Sequence, residues 1–190
     1  EELADAYVKH VNLPFIVSTT ATSVKEDKMA LLKKMGCVNV GLGVETGNEE
    51  YRKTVLKKRI PNSHYERAYR WINAVGIRST AQIMFGLPGE TKEDLINAIR
   101  LVKRWNVETA HVATFYPYKG TTLRDYCIEH GFLTEKDIEE YEKDRFISTK
   151  IGQSVLEFDE QHYEDIQHYK TFFSIYKEVP EWLWPMADKC

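Results

Sequence analysis

The chain has 190 residues, 43% of them hydrophobic, with 26 basic and 29 acidic side chains and a net charge of −3. That length suits one domain, and that apolar content fills a core, which excludes a chain disordered throughout. The near balance of charge excludes a strongly basic nucleic-acid binder by composition, and no apolar run approaches the roughly 18–20 residues that span a bilayer.

The predicted elements repeat one pattern of short apolar strand, loop and helix. The chain opens on Glu1 inside a helical pattern and is expected to be a piece of a longer polypeptide. Leu13–Ser18 reads as the first strand, followed by a charged helix from Lys25 to Met35 that stops at Gly36. Cys37–Val44 is the second strand; helices over Glu49–Lys57 and Ser63–Val75 follow, separated by Pro61. Ile77–Phe85 is the third strand, Thr91 caps a helix to about Trp105, and Thr109–Tyr116 is the fourth strand. Beyond Pro117 the rhythm changes. Helices are expected over Thr122–His130 and Thr134–Arg145, an irregular stretch over Phe146–Phe158, and a long helix from Asp159 to about Lys177. Strands alternating with helices call for a parallel sheet with right-handed crossovers, and no two-residue hairpin turn joins any strand pair.

Alternation separates the strand faces. Val38, Val40, Leu42 and Val44 share one face of the second strand; Asn39, Gly41, Gly43 and Glu45 share the other. On the third strand Ser79, Ala81, Ile83 and Phe85 oppose Arg78, Thr80, Gln82 and Met84. A barrel filled by its own side chains needs branched apolar residues inside, so two glycines and several polar groups there suggest a ligand close to the backbone. Strand curvature at the glycines, with Glu45 capping the next helix, is the plainer alternative. Active sites of βα barrels sit at the C-terminal strand ends, which directs attention to GVETG (43–47), GLPGET (86–91) and YPYKGT (116–121). Glu45 and Arg59 together suit a zwitterion, the carboxylate taking an ammonium and the guanidinium a carboxylate. On spacing alone, their pairing with each other or facing water is the simpler reading. The cysteines Cys37, Cys127 and Cys190 are too dispersed for a local metal site or disulfide and read as thiols of a reducing compartment. The six histidines form no HExxH pair, and no GxSxG, P-loop or GxGxxG occurs. The stripe Tyr163, Ile166, Tyr169, Phe173 and Tyr176 has helical spacing and reads as core.

Three stretches taken in order, LPFIVS through VLKKRI (13–60), AVGIRSTAQIMFGLPGETKEDLINAI (74–99) and TFYPYKGTTLRDY (114–126), resemble the radical S-adenosylmethionine (SAM) enzymes, most closely their cobalamin-binding branch. The resemblance implies an incomplete (βα) TIM-type barrel whose four strands stand for the third to sixth of six. Residues 1–130 would form the partial barrel and 131–190 a helical extension packed on it. SAM is implied as ligand across the strand ends. Glu45 and Arg59 would hold its polar part, Gln82 its ribose and Tyr116 with Pro117 its adenine, while Ser18 and Thr20 line the mouth. The family's chemistry uses a [4Fe–4S] cluster to generate a 5′-deoxyadenosyl radical for hydrogen abstraction or methyl transfer. Its CxxxCxxC motif is absent here, so the cluster ligands are expected outside this chain and the chain alone is expected to be inactive. Branch resemblance alone adds cobalamin. The implied partners are the N-terminal part of the same polypeptide and a small-molecule substrate, with no nucleic acid or membrane, in the cytoplasm. The competing reading is a non-catalytic half-barrel that binds a ligand or partner. A Schiff-base aldolase is disfavoured because no strand core carries a lysine.

Overall fold

In the computed structural model the described residues are 1–134, 156 and 158–188. Helix α1 (Glu2–His10) precedes strand β1 (Phe15–Thr19), helix α2 (Glu26–Lys34) and strand β2 (Cys37–Glu45). Helices α3 (Glu49–Thr54) and α4 (Asn62–Ala74) lead to strand β3 (Arg78–Phe85). Helix α5 (Lys92–Arg104), strand β4 (Thr109–Thr114), helix α6 (Thr122–Glu129) and the long helix α7 (Glu160–Glu178) follow, with a short helix α8 (Trp184–Ala187) after them. Each strand prediction is met to within two residues at either end. The predicted helix over Thr134–Arg145, and nearly all of the irregular stretch after it, lie outside the described residues.

All pairings are parallel and the strand order is β1-β2-β3-β4, the order of the sequence. A right-handed crossover that always steps the same way puts every helix on the same face of the sheet. A doubly wound sheet would reverse its order and place helices on both faces. The wall of a barrel has instead one helix-covered face and one open face. Burial follows this division. On β2, Val40, Leu42 and Val44 are fully buried toward the helices, as are Ala81 and Phe85 on β3. Each such aliphatic side chain contributes about 1.5–3 kcal/mol.

One face assignment is corrected. Val38 was expected among the buried valines, yet it is 39% exposed while its neighbour Cys37 is buried. The register between β1 and β2 slips between Phe15 and Ile16, whose partners are Cys37 and Asn39. Val38 falls in the slip and its side chain leaves the core.

Helix α5 is fixed at its start by a capping box in which Thr91 and Asp94 exchange side-chain-to-backbone hydrogen bonds. Helix α7 lies against α5 and β4. Ile166, Tyr169, Phe173 and Tyr176 join the same apolar cluster as Phe85 and Leu95, so the aromatic stripe is core. Strand β1 is an edge, and Ile16 on it is 68% exposed. Among the described residues no helix is long and apolar enough to cross a membrane.

Candidate functional site

Because the strands are parallel, their C-terminal ends lie along one edge, and the turns GVETG, GLPGET and YPYKGT share it. The register fixes what stands beside what on the open face. Ser18 pairs with Gly41, Gly41 with Thr80 and Thr80 with Thr109. One step nearer the edge, Gly43 pairs with Gln82 and Gln82 with His111.

Glu45 ends β2 in a left-handed conformation, φ 71°, and the register slips between Gly43 and Glu45. Val44 keeps its place in the core while the Glu45 carboxylate folds back over Gly43. There it meets Lys58, whose Nζ donates to Glu45 Oε1 (2.8 Å) and to the carbonyl of Gly43 (2.5 Å). The Tyr65 hydroxyl also donates to that carbonyl (2.9 Å). A side chain at Gly43 would come within 3 Å of both Glu45 Oε1 and Lys58 Nζ. Gly43 thus makes room for an ion pair of the protein itself. Arg59, the predicted partner of Glu45, is exposed, and Lys58 occupies the position beside the carboxylate.

The turn that carries Glu45 is tied down by Arg52, which is fully buried. Its Nε donates to the carbonyl of Val44 (2.9 Å) and its Nη2 to that of Thr46 (2.8 Å). Its Nη1 donates to the carbonyl of Ile60 (3.1 Å) and to Asn62 Oδ1 (2.9 Å). The guanidinium lies 4.9 Å from the Tyr65 ring centroid. One side chain therefore gathers the end of β2, the turn after it and the segment that presents Lys58. Gly47 seats the same turn on helix α5: a Cβ there would come within 3 Å of the backbone of Asp94, Asn97 and Ala98. Asn48 caps α3 and donates to Asp94 Oδ1 (2.9 Å), linking the two turns.

In the GLPGET turn the Glu90 carboxyl folds under its own loop. Its Oε2 accepts from the amide of Gly86 (2.6 Å) and more weakly from that of Leu87 (3.4 Å). Its Oε1 is buried with no hydrogen-bond partner among the described residues. Burial, with the nearby Asp94 carboxylate as a lesser cause, outweighs the two amides and pushes its pKa up to about 8. A carboxyl whose pKa is raised on folding lends stability that is full at low pH and fades as pH rises through the folded value. Relative to Glu90→Gln, the wild type is expected to lose on the order of a few kcal/mol between pH 4.5 and about 8. Urea denaturation of both proteins across that range checks this; parallel pH profiles would refute it.

The other predicted residues fall as follows. Ser18 and Gln82 are exposed on the open face. Thr20 lies past β1 with its hydroxyl bonded to those of Thr22 (3.0 Å) and Ser23 (3.1 Å). Tyr116 packs on a second apolar cluster formed around Leu87, Phe115 and Cys127, its ring 4.9 Å from that of Tyr118, and Pro117 is buried. The edge thus brings together Ser18, Glu45, Gln82 and Tyr116. Lys58, Arg52 and His111 were not predicted. His111 is legible only once the face of β4 is known; for Arg52 the sequence offers no signal. Cys37 and Cys127 are both buried, and burial raises both thiol pKa values, that of Cys127 to about 11, so neither is a ready thiolate ligand. Among the described residues no three His, Cys, Asp or Glu side chains are placed to hold a metal ion. A [4Fe–4S] cluster therefore does not fit the residues described.

Comparison with known proteins agrees with this architecture. An uncharacterized methyltransferase of Pyrococcus horikoshii is 22% identical over 131 residues, covering 69% of this chain and 28% of that protein. The anaerobic magnesium-protoporphyrin IX monomethyl ester cyclase of Cereibacter sphaeroides is 30% identical over 109 residues, covering 56% of this chain and 18% of the cyclase. Coproporphyrinogen III oxidase (HemN) from Escherichia coli, a radical SAM enzyme, superposes with a TM-score of 0.61 at 14% identity, covering 92% of this chain and 36% of HemN. The radical SAM methyltransferase TsrM from Kitasatospora setae, solved with cobalamin and a [4Fe–4S] cluster, superposes with a TM-score of 0.56 at 20% identity, covering 68% of this chain and 27% of TsrM. The chain spans less than a third of the length of the two curated relatives named. The four-stranded wall is part of a TIM-type barrel. The family model of the radical SAM superfamily matches residues 1–102, more than half of the chain, and the chain belongs to that superfamily.

Proposed function

We propose that this chain supplies the SAM-binding wall of a radical SAM enzyme, with Glu45 and Lys58 holding the methionyl end of SAM. The observation that carries the reading is their ion pair at the C-terminal edge of β2, held over a glycine whose lack of a side chain makes room for it. The α-ammonium and α-carboxylate of an amino acid present the same two charges. A zwitterion can open the pair and replace one ionic contact by two, Glu45 taking the ammonium and Lys58 the carboxylate. Gln82, free on the neighbouring strand, is placed for the ribose, and Tyr116 with Pro117 for the adenine. Ser18 lines the wall. Thr20 engages its own turn instead, which removes most of the case for its direct contact.

When bound, SAM supplies the adenosyl group for the family's radical chemistry, and the cluster that starts it would be held by residues outside this chain. The reading extends to cobalamin only through the likeness to TsrM; no side chain on the open face argues for it. Family membership favours this reading over a half-barrel that binds without chemistry.

Equilibrium dialysis of SAM against the full-length protein tests it. Glu45→Gln and Lys58→Ala are each expected to weaken binding about 10–100-fold, the loss of one hydrogen bond to a charged group. Arg59→Ala is expected to leave it within about twofold, since an exposed charge contributes little. Loss of binding in Arg59→Ala with Lys58→Ala unaffected would overturn the assignment.

A further inference from the structure

The open face of the sheet has two polar layers that differ in one respect. In the lower layer Thr80 donates to Asn39 Oδ1 (3.0 Å) and shares a hydrogen bond with Thr109 (2.8 Å), so these groups satisfy one another. In the layer above, neither the Gln82 nor the His111 side chain makes a hydrogen bond to a described residue. Both are exposed on the open face, while Ala110 and Val112, the neighbours of His111 along β4, pack toward the helices. Neighbouring strands stand about 4.8 Å apart, so His111, two strands from Glu45, lies roughly 10 Å across the wall from the proposed methionyl site. Inside a barrel that packs its own core this position would hold a branched apolar residue. An imidazole without an internal partner, enclosed when a barrel closes around it, requires a hydrogen-bonding occupant.

We propose that His111 is a substrate-contacting residue and that the substrate is a polar, water-soluble small molecule presenting a hydrogen-bonding group to its imidazole. This rests on the SAM-binding reading, with SAM at the edge and the substrate beside it against β4. The wall around His111 points the same way: Thr80, Gln82 and Thr109 are polar, and Met84 and Ala113 are the apolar side chains nearest the edge. Thr80 and Thr109 already satisfy one another, so the group that an apolar chain or ring would strand is the His111 imidazole.

The test uses the full-length protein, anaerobic and reduced, with 5′-deoxyadenosine release as one readout and S-adenosylhomocysteine binding by equilibrium dialysis as the other. The probes are the water-soluble and the solvent-extracted small-molecule fractions of the source cells, added separately. The aqueous fraction is expected to stimulate 5′-deoxyadenosine release in the wild type. His111→Ala is expected to lower that stimulation about tenfold, the loss of one hydrogen bond, and His111→Gln to restore part of it. Binding of S-adenosylhomocysteine and thermal unfolding should not change in either variant, since the ring contacts nothing it would leave unpaired. Stimulation by the solvent-extracted fraction, by neither fraction, or undiminished in His111→Ala would overturn the proposal, as would loss of S-adenosylhomocysteine binding in His111→Ala. Failure of the SAM-site reading is seen separately, as unchanged S-adenosylhomocysteine binding in Glu45→Gln.

Discussion

Gly47→Ala is expected to destabilise the protein by about 3 kcal/mol, the upper end for forcing a methyl group into a filled space. Adding a methyl at Gly47 drives it into the backbone of α5 at Asp94, Asn97 and Ala98, and backbone in mid-helix cannot step aside. Relief requires the whole GVETG turn to lift from the helix, which disturbs Glu45 and the Asn48–Asp94 hydrogen bond. Gly41→Ala is the internal control. Its methyl would meet Gln82 Nε2 at 3.4 Å and Ser18 Oγ at 3.5 Å, ordinary contacts with side chains that can move. That substitution should cost less than about 1 kcal/mol. Urea denaturation followed by tryptophan fluorescence separates the two, since Trp105 stacks on Tyr65 and Tyr69 in the same core. Equal midpoints would mean that the turn does not bear on α5.

Arg52→Ala is expected to cost about 3–5 kcal/mol, since it leaves several buried acceptors unpaired at about 1–3 kcal/mol each. The guanidinium makes four hydrogen bonds, three of them to backbone carbonyls of Val44, Thr46 and Ile60. Truncation strands those acceptors and opens a cavity beside Tyr65. Burial pulls the Arg52 pKa below its ordinary value. Arg52→Lys keeps the charge but not the planar fork, and a loss of about 2 kcal/mol is expected. Because the same side chain sets the position of Glu45 and of the Lys58 segment, SAM binding should fall in both variants. Unfolding midpoints within experimental scatter of wild type would show that Arg52 does not hold the turn.

The features legible in the sequence were those with a period. Alternation on β3 gives its two faces correctly along its whole length, and spacing on α7 gives a core stripe that is buried as expected from Ile166 to Tyr176. Parallel order and the shared edge follow from strand–helix alternation. What was hidden depends on single backbone torsions. Lys57 is left-handed, φ 54°, and the chain turns there so that Lys58 reaches inward and Arg59 outward. No periodic rule anticipates a one-residue swing of that kind. Arg52 is hidden for another reason: EEYRKT reads as a solvated, charged helix, and nothing local distinguishes the one arginine that fills the core. Val38 leaves the core through a slip in register, which is a property of two strands together. The glycines at 41 and 43 were read alike, yet one tolerates a methyl and the other does not, because only Gly43 sits under the Glu45–Lys58 pair.

The bolting of the GVETG turn to α5 and to Arg52 has a thermodynamic corollary. An arriving molecule finds this rim already frozen, so little chain freedom is surrendered at the moment of docking. On heating, the rim should therefore not loosen ahead of the scaffold, and the two should lose their structure in the same narrow interval of temperature.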